Sequence, residues 1–166
     1  MPEVVGWRGR FLEDFHVGDV YPHALGRTIT DADNVWFTCV TMNTNPIHFD
    51  AVVSARSEFG KILVNSCFTL SLVVGLSVSD LSQNVIANLA WTDIELPNPV
   101  FTGDTIYARS EVLDVRESKS RPHAGIVSVK TQGFNADGAT VITYKRTFLV
   151  YKREAGMENR KPPTPR

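Results

Sequence analysis

Ile62-Leu63-Val64-Asn65-Ser66-Cys67-Phe68-Thr69-Leu70-Ser71-Leu72-Val73-Val74-Gly75-Leu76-Ser77-Val78 is the most apolar stretch of the chain, and its reading decides the fold. It falls short of the ~20 predominantly apolar residues of a membrane span, and Asn65, Ser66, Thr69, Ser71 and Ser77 interrupt it. Asn65 or Ser66 can cap a helix that is predicted to run to about Ser79. Small or apolar residues lie on every side of that helix (Cys67, Leu70, Ser71, Val74, Gly75, Val78). A helix without a polar face must be enclosed on most faces, so this one is expected inside a folded domain.

The segments downstream are rich in β-branched and aromatic residues. Strands are predicted at Ile86–Leu96, Thr105–Arg116, Gly125–Phe134 and Ala139–Lys152. In the second of these, Ile106, Ala108, Ser110 and Val112 alternate with Thr105, Tyr107, Arg109 and Glu111, which is the period of a half-buried strand. Asn135-Ala136-Asp137-Gly138 supplies a hairpin turn between the last two. Upstream, Thr30-Asp31-Ala32-Asp33 resembles a capping box that starts a helix, with Val35, Trp36, Cys39, Val40 and Met42 as its buried side. Asn43-Thr44-Asn45-Pro46 ends it, and Asp50 caps a second helix expected to reach Gly60. Short extended pieces are expected between Phe11 and Arg27, joined at Gly18-Asp19 and Pro22. One enclosed helix and a run of antiparallel strands make an α+β domain whose sheet wraps the helix. Residues 1–10 read as an N-terminal extension, 11–152 as the domain, and 153–166, polar and proline-rich, as a disordered tail.

Composition excludes several function classes. The 166 residues carry 17 Lys+Arg against 18 Asp+Glu, a formal net charge of −1. That balance offers no long-range field to nucleic acid or to an anionic membrane, so neither partner is expected. A dinucleotide-binding half and a separate substrate domain would not fit in this length. Cys39 and Cys67 lack metal or redox spacing and read as small core residues in a reducing compartment, here the cytoplasm. No signal-peptide core, glycine-rich phosphate loop, metal cluster or serine nucleophile elbow is present, and no metal or cofactor is expected.

Three features can carry chemistry. Asn43 precedes His48 by five residues across a turn fixed by Pro46, and histidine is the usual general base near neutral pH. An alternative is a histidine that merely bonds a turn carbonyl. The start of the apolar helix, Asn65-Ser66-Cys67, presents unpaired backbone N–H groups that favour developing negative charge, as on a thioester oxygen. The loop from Arg116 to His123, with Arg116, Lys119 and Arg121, could meet a phosphate-bearing ligand or simply be a solvated connection.

Phe11-Leu12-Glu13-Asp14-Phe15-His16-Val17-Gly18, Arg27-Thr28-Ile29-Thr30, Asn45-Pro46-Ile47-His48 and Pro99-Val100-Phe101-Thr102-Gly103-Asp104 together resemble the MaoC-like hydratases. The resemblance spans about Phe11 to Lys152. It implies a hot-dog fold, an antiparallel sheet around a long central helix, and a homodimer or higher oligomer. It also implies reversible addition of water across a 2-enoyl-CoA, with CoA as part of the substrate. In the family motif an aspartate and a histidine five residues later handle the water. Here His48 matches the histidine, Asn43 stands in the aspartate position, and Met42 replaces the preceding glycine. Asn65-Ser66 stand where the family has His-Gly.

An asparagine can orient water but cannot exchange a proton at neutral pH, so His48 would carry the proton chemistry largely alone. Ser66, Asn65, Asn45 and Arg56 are the expected oxyanion and substrate-binding residues, with Arg27 another cation for a distal carboxylate. Arg116, Lys119 and Arg121 are expected at CoA. The strings around Asp33-Asn34-Val35-Trp36 and Gly75–Ser82 are similar to a branch acting on mesaconyl-CoA, itaconyl-CoA or β-methylmalyl-CoA. A hydro-lyase for short, branched or dicarboxylic enoyl-CoAs is therefore the expected function. The alternatives are a catalytically silent acyl-CoA-binding subunit and a hot-dog thioesterase.

Overall fold

The computed structural model describes residues 6–158. In chain order the elements are β1 (Val20–Pro22), β2 (Arg27–Thr28), α1 (Asp31–Val40), α2 (Ala51–Ala55) and α3 (Ser66–Leu76). They continue with β3 (Val85–Glu95), β4 (Thr105–Glu117), β5 (Ala124–Asn135), β6 (Thr140–Tyr151) and α4 (Arg153–Glu158). One antiparallel sheet has the order β1-β4-β5-β6-β3, and β2 pairs beside β1 along β4. The class is α+β, with α3 packed on the inner face of the sheet.

Local chemistry explains the element boundaries. Ile106, Ala108, Ser110 and Val112 of β4 are buried while Tyr107, Arg109 and Glu111 are exposed, as the alternation requires. Asn135 Oδ1 accepts from the N–H groups of Asp137 and Ala139, and Gly138 takes the positive φ that closes the β5–β6 turn. Thr30 and Asp33 form the reciprocal capping box of α1, and the Thr30 hydrogen bonds hold the Asp33 carboxyl below the usual carboxylate range.

The core has two parts. Under α3, Val73 packs with Ile29, Ile106, Ala108, Ile142 and Tyr144. Toward the other end, Leu12, Phe15 and Leu81 cover Val112, Val127, Val129 and Phe148. The helix packs closely on the sheet at Gly133, where a Cβ would stand 2.7 Å from Val73 Cγ2 and 2.8 Å from Ile142 Cγ2.

Several expectations are corrected. α3 ends at Leu76, and a π-turn over Val78–Ser82 replaces its expected last turn. Only Thr69 and Val73 of α3 are buried, while Cys67, Ser71 and Gly75 are exposed. One chain's sheet covers one face of the helix, so the expected enclosure is incomplete within the single chain. The buried side of α1 is reversed: Asn34 and Thr38 are fully buried, whereas Trp36, Val40 and Met42 are 70%, 62% and 86% exposed. Cys39 and Cys67 are exposed free thiols and not core residues. α2 stops at Ala55, well short of Gly60.

The domain also reaches beyond 11–152. Asn84 Nδ2 donates to the carbonyls of Arg8 (2.9 Å) and Arg10 (3.0 Å), and Gly9 is packed on Gln83, so residues 8–10 belong to it. Residues 153–158, expected to be disordered, form α4. There Gly156 lies against Phe11, the Arg153 N–H donates to Glu13, and the Arg153 guanidinium pairs with Asp14. The remainder of the expected tail, 159–166, and residues 1–5 lie outside the described residues.

The end of α1 sets the direction of the turn that carries His48. Asn43 N–H donates to the Thr38 carbonyl and Met42 N–H to the Cys39 carbonyl, both at 3.0 Å, which is a Schellman stop with Met42 at its left-handed position (φ 55°). A side chain at that φ costs ~1–2 kcal/mol, part of it returned by the greater chain entropy glycine has when unfolded. Met42→Gly is therefore expected to stabilise the protein by about 0.5–1 kcal/mol, read as a higher urea midpoint at unchanged slope. A lower midpoint would contradict the left-handed assignment.

Candidate active site

The site is built on the turn that the Schellman stop launches. Asn43 Oδ1 accepts the Asn45 N–H (3.0 Å), and Asn45 Oδ1 accepts the Ile47 N–H (3.2 Å). Pro46 opens a single 3-10 turn, Pro46–His48, and Asp50 Oδ1 then caps α2 through the N–H groups of Val52 and Val53. Successive side-chain caps thus fix the backbone on both sides of His48.

His48 is 8% exposed, and its Nδ1 lies 2.9 Å from the Leu63 carbonyl oxygen. A carbonyl can only accept, so the ring proton sits on Nδ1 and the lone pair on Nε2. The histidine is thereby held in the form that presents a base. Its anchor belongs to the segment that leads into α3. Leu63 N–H donates to the Ile47 carbonyl (3.1 Å), Val64 N–H donates to the Val100 carbonyl (2.9 Å), and α3 begins at Ser66.

At the start of α3, Asn65 Oδ1 accepts the Cys67 N–H (2.9 Å), while Ser66, as first helical residue, has no intrahelical acceptor for its N–H. Ser66 and Thr69 line a cavity of ≈ 230 Å³ with Phe59, Leu63, Val64 and the 96–100 segment. The histidine's anchor, Leu63, and the helix N-terminal donor, Ser66, both belong to residues 63–66 on the wall of this cavity. That arrangement can remove a proton and stabilise an oxyanion. A larger apolar cleft of ≈ 610 Å³ follows α3 past Phe37, Phe68, Leu72 and Leu76. Ser66 does not line it, His48 is on the wall of neither cavity, and Arg27, on the wall of the larger one, is bonded to the Asp33 carboxylate at 2.9 and 3.0 Å. The smaller cavity, which holds the first residue of α3 and the Leu63 that anchors His48, is the candidate reaction site.

The family model for mesaconyl-CoA hydratase matches residues 5–160 of this sequence. The chain belongs to the mesaconyl-CoA hydratase family. The mesaconyl-CoA hydratase of Cereibacter sphaeroides is 31% identical over 163 residues, covering 95% of this chain and 46% of the relative. The chain spans about half the length, or less, of the mesaconyl-CoA hydratases it matches. Among solved structures, a MaoC-like dehydratase from Rhodospirillum rubrum superposes with a TM-score of 0.76 at 28% identity, covering 87% of this chain and 99% of that one. A Mycobacterium tuberculosis protein with a double hotdog fold superposes with a TM-score of 0.81 at 20% identity, over 96% of this chain and 48% of that one. The fold of this family member is the hot dog that the sequence resemblance implied.

Among the residues singled out from sequence, His48 is bonded to Leu63 and Ser66 follows three residues later at the start of α3, with Asn43 at the head of the histidine's own turn. The others take different places. Asn65 is buried, with Oδ1 on the Cys67 N–H and one Nδ2 hydrogen on Thr38 Oγ1 (3.3 Å), so its amide is oriented by bonds within the fold. The Asn45 carbonyl oxygen is committed to its turn. Arg56, exposed at the C-cap of α2, is not on the cavity wall. Arg116 lies near the end of β4, and Lys119 and Arg121 follow in the connection to β5; none of the three lines the cavity at Ser66. Two residues of the site escaped detection in the sequence: Asn34 and Thr38, one turn apart on α1. Their signal was a polar i, i+4 pair set among Val35, Trp36, Phe37, Cys39 and Val40. Among the described residues, no helix is long and apolar enough to cross a membrane.

Proposed function

We propose that this protein is an acyl-CoA hydratase/dehydratase acting on a short, branched or dicarboxylic 2-enoyl-CoA of the mesaconyl type. The observation that carries the reading is the Nδ1–Leu63 hydrogen bond, which leaves His48 Nε2 as a base on a ring anchored three residues before Ser66. His48 Nε2 takes a proton from water as its oxygen bonds to Cβ of the enoyl group. The electron pair of the double bond moves onto the thioester oxygen, where the Ser66 N–H and the α3 dipole meet the charge. Collapse of that enolate takes a proton at Cα, returning His48 to its neutral form, and the reverse sequence is dehydration. The Leu63 carbonyl stabilises the transient imidazolium, a task a carboxylate often performs. Asn43, whose oxygen is spent on the Asn45 N–H, offers its NH₂ end to hold the water. The step needs acid–base and oxyanion groups alone, so CoA enters only with the substrate.

The reading extends to a homodimer, in which a second copy stands where the longer relatives carry further chain. Supporting it, β3 is an edge strand exposing Leu89, Trp91 and Ile94, and α3 exposes Cys67, Ser71 and Gly75. We place it in the cytoplasm, in keeping with two exposed, unpaired cysteines. The test is turnover of an enoyl-CoA panel, followed as loss of the conjugated thioester, with free thiol measured in parallel. Hydration that favours a methyl-branched dicarboxylic acyl group over crotonyl supports the reading. Release of free CoA would make the protein a thioesterase. Binding without turnover, with activity gained in Asn43→Asp, would make it a silent subunit.

A further inference from the structure

Asn34 takes no part in the hydration chemistry itself, yet it touches both sides of the site. It is fully buried on α1. Its Nδ2 donates to the His48 carbonyl at 2.9 Å and to the Leu63 carbonyl at 3.2 Å, and its Oδ1 accepts the Asn65 N–H at 2.9 Å. One amide therefore joins the backbone of the base, the carbonyl that holds the base's ring proton, and the residue just before the helix N-terminus. Its donors and acceptor are used in complementary directions, which fixes the side chain's orientation as well as its place.

We propose that Asn34 is the positioning residue of this active site: it selects the Nδ1–H form of His48 and fixes the separation between His48 Nε2 and the Ser66 N–H. The inference rests on the functional reading of His48 and Ser66 as base and oxyanion donor. The physical reason is that a neutral histidine in water prefers its proton on Nε2, and that form would hide the base. The Leu63 carbonyl reverses the preference only while it points at Nδ1, and Asn34 is the other side chain that bonds that carbonyl. Releasing it leaves the orientation of the Leu63 carbonyl to the His48 ring and the Val64 N–H bond to Val100 alone. The same release frees the Asn65 N–H and so the start of α3. Thr38 cannot substitute, because it reaches Asn65 Nδ2 and not Leu63.

The test uses full-length protein with ¹⁵N-labelled histidine, with Asn34→Ser and Asn34→Asp compared to the parent. The chain has 4 histidines, and His48→Ala identifies the relevant ring. In the parent, His48 is expected to show a protonated Nδ1 and an unprotonated Nε2 above the pH at which the ring loses its charge. In the variants the two nitrogen shifts are expected to converge, and kcat to fall about 10–100-fold while KM changes less than about threefold, as displaced but intact groups predict. A folded variant that keeps the parent's His48 pattern overturns the proposal, whatever its rate. Failure of both variants to fold also overturns it, in favour of a purely structural asparagine. Converged shifts in a protein inactive on every enoyl-CoA would uphold the positioning role and reject the hydratase reading, so the two failures are distinguishable.

Discussion

His48→Ala is expected to lower kcat for enoyl-CoA hydration by about 10²–10⁴-fold, the usual contribution of a general base, or about 3–5 kcal/mol of barrier. KM should change little, since the ring meets a water and not the CoA. The size of the effect reflects the absence of a second proton acceptor in the turn. Asn43 holds the position where the family has a carboxylate, and its oxygen is already engaged by the Asn45 N–H. The fold should survive the substitution. The Leu63 carbonyl keeps its bond from Asn34 Nδ2 at 3.2 Å, so removing the ring leaves that buried oxygen with a partner. Steady-state kinetics beside a urea titration separate the two effects. Equal rates for parent and variant would reject His48 as the base.

The second large effect concerns stability. Gly133→Val is expected to cost about 3 kcal/mol and to lower Tm by roughly 6–12 °C. Strand propensity argues the other way, because valine suits a strand interior better than glycine. Position decides against it. Gly133 sits on β5 between Ala108 and Ile142, directly under Val73 of α3. Both Val73 and Ile142 are fully buried, and a Cβ would fall within 2.8 Å of each, so the helix must lift from the sheet or the strand must bend. Lifting α3 would also disturb Ser66, so activity should fall along with Tm. An unchanged Tm would mean that α3 does not pack closely at this point.

Elements whose cause is local were legible in the sequence. Thr30 with Asp33, Asp50, Asn65 and Asn135 each cap or turn the backbone through bonds to residues no more than four positions away. The alternation along β4 needs only the pleat. Failures occur where the partner is remote. Reading α1 by hydrophobicity puts Trp36 and Val40 inside. The molecule instead buries Asn34 and Thr38, because the start of α3, some 30 residues later, offers an N–H, an amide and the Leu63 carbonyl, and the turn before α2 offers the His48 carbonyl. α4 is polar in composition, yet it is held by Glu13 and Asp14 from the opposite end of the chain. The cations Arg116, Lys119 and Arg121 have the right chemistry for phosphate, and their place relative to a ligand is not set by spacing along the chain; none of them lines the cavity at Ser66.

His48 was visible because proline and asparagine next to it imply a rigid turn. Its role as a base was not visible, since that depends on which ring nitrogen meets a carbonyl 15 residues further on. By itself the sequence determined the helices α1 to α3, the four long strands, their order, the α+β class and the candidate base, all of which rest on propensity, capping and periodicity within a few residues. Tertiary structure alone decided which face of α1 turns inward, which proton His48 carries and which polar residues serve the site. Those depend on buried hydrogen-bonding groups finding partners across the fold, and spacing along the chain carries no record of that pairing.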